Sequence, residues 1–278
     1  MHELTGKVAA ITGGASGIGR ALAGAFGAAS MRIALADIEA APLAAAVAEL
    51  TAAGIDADGW VCDVSDATAV DDFAAATFAR FGTAHVVCNN AGVGGTPGVT
   101  WEVSPQGWEW TLGVNLMGVV HGIRSFVPRL VAQGEGHVVN TASLAGLKGA
   151  PFMAPYVAAK HAVVGISESL AHEFAMTGDD LGVSVLCPGF IRTRIGESGR
   201  NWPARLGPDP TPTADSPAGD LIRNLIAGGV DPAEYARRVV DAVRTNRFYV
   251  LSDVAHAAAI SMRHSEAVDG GPPAPAPV

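Results

Sequence analysis

The chain has 278 residues, 49 % of them hydrophobic and 16 % charged, with a net charge of −9; this is enough apolar material for one large α/β domain with a full core. So acidic a surface repels phosphate backbones and makes nucleic acid an unexpected partner. No apolar run reaches about 18 residues, and Glu3 and Lys7 precede any hydrophobic segment long enough for a signal peptide, so a cytoplasmic protein without membrane association is expected.

In chain order, Lys7 to Ile11 is a short apolar run closed by Thr12-Gly13-Gly14-Ala15-Ser16-Gly17-Ile18-Gly19, after which Arg20 to Ala29 resumes as an alanine-rich helix. Strand, glycine loop and helix is the arrangement that cradles a phosphate. Glycines let the backbone turn tightly, and the free N–H groups and positive end of the helix receive the negative charge. The spacing is Gly-x-x-x-Gly-x-Gly, which departs from Gly-x-Gly-x-x-Gly. A second run, Arg32 to Ala36, ends at Asp37. An acid there accepts hydrogen bonds from an adenosine ribose and repels a 2′-phosphate, which favours NAD over NADP. Its simpler role would be to cap the helix that follows.

Residues 40–53 read as a helix, Asp58 to Val64 as a third strand ending in Asp63-Val64, and 66–81 as another helix. His85 to Cys88 is a fourth strand running into Asn89-Asn90-Ala91-Gly92. This alternation predicts a Rossmann-type doubly wound parallel sheet with helices on both faces, its ligand crevice at the C-terminal ends of the strands. From Pro105 to about Gln133 runs a long helical stretch interrupted by Gly113, Gly118 and Pro128, with Asn115 among apolar neighbours. A buried asparagine there is either a structural tie or part of a polar relay. The fifth strand, His137 to Asn140, ends at Thr141-Ala142-Ser143. Ser143 could hold a substrate oxygen. A hydrolase nucleophile is the alternative, but no Gly-x-Ser-x-Gly elbow surrounds it.

Tyr156 and Lys160 share one face of the next helix, whose apolar positions run on through Val163, Val164, Leu170 and Phe174. A free phenol ionises near pH ~10, and a neighbouring cation would lower that value, which makes Tyr156 the candidate general acid/base. Such a pair also arises by chance in many helices. A sixth strand, Val183 to Leu186, leads to Cys187-Pro188-Gly189-Phe190-Ile191-Arg192-Thr193. Residues 196–230 then carry five prolines with glycines between them, the composition of a loop or loosely helical lid. A helix from Asp231 to about Thr245 and a last strand, Phe248 to Leu251, complete the catalytic domain at 1–255, with the lid at about 192–230. From 256 a flexible tail rich in proline and glycine is expected, because 272–277 read Pro-Pro-Ala-Pro-Ala-Pro. Cys62, Cys88 and Cys187 lie in apolar runs and read as reduced core residues. The eight histidines form no ligand pair with a third donor, so no metal is expected.

Thr12-Gly13 through Gly17-Ile18-Gly19, Asp63-Val64, Asn89-Asn90-Ala91-Gly92, Asn115, Ser143, Tyr156 with Lys160, and Pro188-Gly189 together resemble the classical short-chain dehydrogenases/reductases over about residues 5–195. The resemblance implies that Asn115, Ser143, Tyr156 and Lys160 form a catalytic tetrad. Tyr156 would exchange the hydroxyl proton, Lys160 lower its pKa and bind the nicotinamide ribose, Ser143 polarise the substrate oxygen, and Asn115 anchor a water. Cofactor contacts would come from Gly13, Ser16, Gly17, Ile18, Gly19, Asp37, Ile38, Asp63, Val64, Asn90, Ala91, Gly92, Pro188, Gly189, Ile191 and Thr193, besides Tyr156 and Lys160. Substrate contacts would come from Ser143, Ala145, Phe152, Met153, Tyr156 and Phe190, with Trp101, Leu144, Leu147 and Trp202 adding to an apolar wall. The reaction implied joins a secondary alcohol and a ketone through NAD in a homodimer or homotetramer. The alternative is a dinucleotide-binding sensor or structural subunit without turnover.

Overall fold

The computed structural model describes residues 1–208, 223–253 and 256–271. Its strands are β1 (Val8–Thr12), β2 (Arg32–Asp37), β3 (Ala57–Val61), β4 (Val86–Asn89), β5 (Gly136–Thr141), β6 (Leu181–Cys187) and β7 (Tyr249–Leu251). They pair in parallel in the order β3-β2-β1-β4-β5-β6-β7. The order reverses between β1 and β4, and a crevice opens at such a point beyond the strands' carboxyl ends. The helices are α1 (Gly17–Ala28), α2 (Ala40–Ala52), α3 (Ala67–Phe81), α4 (Pro105–Leu112), α5 (Gly118–Gln133), α6 (Ala154–Thr177), α7 (Pro232–Thr245) and α8 (His256–Asp269).

Strand alternation builds two cores. Ala9 and Ile11 of β1 face Leu22 and Phe26 of α1, Leu43 and Leu50 of α2, and Val239 and Val243 of α7. Val8 and Ala10 face the opposite layer, with Phe73 of α3, Phe126 and Leu130 of α5, and Leu170 and Phe174 of α6. Both sheet faces are therefore covered, which is why the central strands read as unbroken apolar runs.

Four expectations change. The third strand stops at Val61, and Asp63 and Val64 follow it, because the Asp63 carboxylate accepts from both the N–H and the hydroxyl of Ser65 at 2.9 and 2.7 Å and turns the chain out of the ladder. The interruption before Gln133 is a π-helical turn, Gly113–Met117, joining α4 to α5, while Pro128 lies inside α5 without ending it. Helix α8 stands where a tail was expected, since Ala257-Ala258-Ala259 favours helix and no proline or glycine occurs before Gly270; residues 272–278 lie outside the described residues. Finally, the first part of the lid is packed down. Residues Ile195–Asn201 and Ala204–Leu206 form 3-10 turns, Trp202 stacks edge-on against buried Trp110 of α4 at 5.1 Å, and Gly94 N–H donates to the Ser198 hydroxyl at 2.9 Å. Residues 209–222 of the expected lid lie outside the described residues.

Candidate active site

The crevice begins with Thr12, which the sequence motif includes without marking the role its side chain plays. Its Oγ1 accepts from the N–H groups of Asn90 and Ala91 at 2.9 and 3.0 Å, and its carbonyl accepts from Asn90 Nδ2 at 2.9 Å. The ends of β1 and β4 are thereby locked together, and Thr141 of β5 donates to Asn90 Oδ1 at 3.3 Å. Asn90 is thus spent on holding three strand ends in register.

The glycine loop packs so closely that side chains are excluded. A Cβ on Gly13, whose φ is +66°, would lie 2.8 Å from Ala91 Cα, and one on Gly19 would lie 2.6 Å from Asn90 Nδ2. Gly17 has φ +54° and faces the methyl group of Thr193, which brings the chain after β6 against the loop. Ser16 is the N-cap of α1 but makes no side-chain capping bond, and the first turn carries no acid. The N-terminal N–H groups around Ile18 and the positive end of the helix thus fit the pyrophosphate of a dinucleotide.

Asp37 closes the loop from the side. One carboxylate oxygen accepts from Ala15 N–H at 2.9 Å and the other from Glu39 N–H at 3.0 Å, fixing a buried anion at the end of β2. Next to it Ile38 is exposed, and Glu39 pairs with Arg200 of the lid.

Beyond β4, Asn115 binds both polar groups of Val93, accepting from its N–H at 2.8 Å and donating to its carbonyl at 2.9 Å. Its amide is a tie to the segment after Gly92. Lys160 is 3 % exposed and donates to the Thr141 carbonyl at 2.8 Å, with its Nζ 5.5 Å from the centre of the Tyr156 ring. Burial lowers the Lys160 pKa to about 8. Ser143 lies close enough to the Tyr156 phenol to act on its ionisation, donates to the Pro188 carbonyl at 3.3 Å and accepts from the Ala145 N–H at 3.1 Å. Neither of these bonds is to a histidine, the partner a hydrolase serine would need.

The expected lowering of the tyrosine pKa is reversed in this state. Burial pushes the Tyr156 phenol up, and Ser143 offsets part of that. The Lys160 ammonium lies over the Tyr156 ring, 5.5 Å from its centre, and donates to the Thr141 carbonyl rather than to the phenol oxygen.

The remaining candidates divide. Val64 packs under Gly118, with its carbonyl 3.0 Å from His121 Nδ1. Ile191 is buried and bridges to Val230. Gly189 N–H donates to Ser252 at 2.9 Å. Phe152, Phe190 and Trp101 are exposed by 58, 48 and 83 %. Met153 is the N-cap of α6. Phe152 has φ +61°, a left-handed conformation unusual for an aromatic residue, and its carbonyl accepts from Gly98 at 2.9 Å. Leu147 packs into the core and Trp202 onto Trp110, so neither belongs to the open wall. Each of Arg192, Arg194, Arg200 and Arg205 is paired with an acid: Asp231, Glu197, Glu39 and Glu109. Cys62, Cys88 and Cys187 are buried free thiols, and among the described residues no cluster suited to a metal and no helix long and apolar enough to cross a membrane occurs.

The model of the short chain dehydrogenase family matches residues 7–204. A crystal structure of a short chain dehydrogenase/reductase from Burkholderia phymatum in complex with NAD is 39 % identical, with a TM-score of 0.95 over 100 % of this chain and 99 % of that one. A 1-deoxy-11-beta-hydroxypentalenate dehydrogenase of Streptomyces avermitilis is 39 % identical over 81 % of this chain and 83 % of its own length. A C alpha-dehydrogenase of Sphingobium is 34 % identical over 90 % of this chain and 82 % of its own.

Proposed function

This chain belongs to the short-chain dehydrogenase family, oxidoreductases of alcohols and ketones that use a nicotinamide dinucleotide, and on that premise we propose that it interconverts an apolar secondary alcohol and its ketone with NAD in preference to NADP. The observation that carries the reading is the meeting of Tyr156, Ser143 and Lys160 at the carboxyl ends of β5 and β6, across the crevice from the glycine loop. When bound, the dinucleotide supplies or accepts the hydride.

The chain's own groups do the rest. Ser143 donates to the substrate oxygen and polarises it, and Tyr156 gives or takes the proton at that same oxygen. Such general acid/base help is worth about 10²- to 10⁴-fold. Lys160, held by Thr141 over the Tyr156 ring, supplies positive charge that favours the phenolate. Asn115 acts as a positioning residue, setting the Gly92-Val93 segment that walls the site. The N-terminus of α1 would hold the pyrophosphate and Asp37 the adenosine ribose, where its fixed charge opposes a 2′-phosphate.

Three exposed aromatic side chains support the preference for an apolar substrate. Phe152, Phe190 and Trp101 offer aromatic surface, worth about 25 cal/mol per Å² covered, whereas Arg192, Arg194, Arg200 and Arg205 already have carboxylate partners. A carboxylated substrate would have to displace one of those carboxylates to gain its arginine. The two relatives named above for dehydrogenation support the reaction class. We place the enzyme in the cytoplasm as a homodimer or homotetramer, on family likeness alone.

Steady-state rates on an alicyclic or aromatic secondary alcohol and its carboxylated analogue, each with NAD and NADP, test the reading. The expected outcome is higher kcat/KM for the neutral alcohol and for NAD. Equal use of NADP would remove the role given to Asp37, and a preference for the carboxylate would remove the apolar site.

A further inference from the structure

The lid places a cation beside Asp37 that the proposed reaction does not use. Arg200, from the turn Ile195–Asn201, grips Glu39 with both prongs, Nε to Oε1 at 3.0 Å and Nη2 to Oε2 at 2.9 Å. The two side chains are only 26 % and 20 % exposed, and Arg200 Nη1 is steadied by the carbonyls of Arg194 and Glu197 at 3.3 and 3.0 Å. The backbone of Glu39 in turn donates to Asp37. One guanidinium and two carboxylates therefore meet at the end of β2, the end assigned above to the adenosine ribose. The Asp37 charge also favours the protonated guanidinium.

A guanidinium fork matches a carboxylate and a phosphate equally well, so the partner that holds it denies it to the other. We propose that Glu39 is a specificity-determining residue, which by occupying both prongs of Arg200 withholds from the cofactor site a group able to bind a 2′-phosphate. Discrimination against NADP is then shared: Asp37 repels the phosphate and Glu39 sequesters its ready-made receptor. This inference rests on the assignment of Asp37 to the adenosine ribose. It predicts that the chain carries a latent 2′-phosphate site that one substitution uncovers. Glu39 is the N-cap of α2 but makes no side-chain capping bond, so replacing its carboxylate leaves the start of that helix intact.

Calorimetric titration of the full chain with adenosine 2′,5′-bisphosphate and with 5′-AMP reads this without turnover. In the unsubstituted protein 5′-AMP should bind more tightly. In Glu39→Gln the ratio of affinities should move toward the bisphosphate by about tenfold or more, the size of one charge-assisted hydrogen bond. Arg200→Met should leave the ratio near its original value, and Glu39→Gln with Arg200→Met should lose most of the gain. Glu39→Ala repeats the comparison should the glutamine variant prove unstable. No shift in either Glu39 variant would overturn the proposal, as would a gain that survives in the double variant, which would trace it to net charge alone. A preference of the unsubstituted protein for the bisphosphate would instead overturn the assignment of Asp37.

Discussion

Lys160 sits where an ammonium is hardest to keep charged, with one carbonyl and the face of the Tyr156 ring beside it and 3 % of its surface exposed. Its pKa falls from 10.5 to about 8 on folding. Between those two values the unfolded chain holds the proton more often than the folded one, so this group's contribution to unfolding free energy rises with pH across the window and is level below it. Urea unfolding of the native protein and Lys160→Met should accordingly show native stability improving relative to the variant as pH rises through the window. A constant difference would mean that Lys160 ionises normally. The tyrosines and buried thiols shift the other way, and of these Cys187 alone has Lys160 among the causes of its shift. At Asn115 the chemistry is that of a tie. Asn115→Ala would leave the N–H and carbonyl of Val93 unpaired, at a cost of about 1–3 kcal/mol for each buried group. Chemical denaturation that finds Asn115→Ala as stable as the native protein would contradict that account.

Among the elements, the glycine loop is the most tightly specified. Gly19 touches both Gly13 and Asn90, so an added methyl must push the loop off the end of β4 rather than displace a flexible side chain. Gly19→Ala should weaken NAD binding by roughly tenfold or more, about the 1.4 kcal/mol that a small misplacement of phosphate donors would cost. Cofactor titration by fluorescence checks this, and unchanged affinity would show that the loop has slack. The lid reads differently in sequence and in space. Its prolines and glycines suggest a loop without fixed packing, yet Trp202 on Trp110, Ser198 on Gly94, Arg200 on Glu39 and Arg205 on Glu109 pin residues 195–207 across the crevice. Those contacts join residues distant in the chain, and no local pattern announces them. Helix α8 escaped for a related reason: the proline run beyond it coloured the reading of an alanine-rich stretch that has its own helix propensity.

For the whole molecule, the doubly wound sheet was legible because each parallel strand is a short apolar run ending at a chemical signal, and each signal marks the same edge of the sheet. Thr12-Gly13, Asp37, Asn90, Ser143 and Pro188 all lie at strand ends and converge because the strands are parallel. What sequence could not supply was how polar groups are spent. Asn90 and Asn115 are consumed in ties, Lys160 is committed to a backbone carbonyl, and the tyrosine is buried enough for its pKa to rise. These outcomes depend on distances between segments far apart in the chain. The central claim is that this arrangement moves a proton at Tyr156 while the rest of the fold only binds and orients. Tyr156→Phe keeps the ring and removes the oxygen, so NAD affinity should stay within about twofold while kcat on an apolar secondary alcohol falls at least about 10²-fold. Retention of more than about a tenth of the native kcat, with binding intact, would contradict the assignment of the proton to Tyr156.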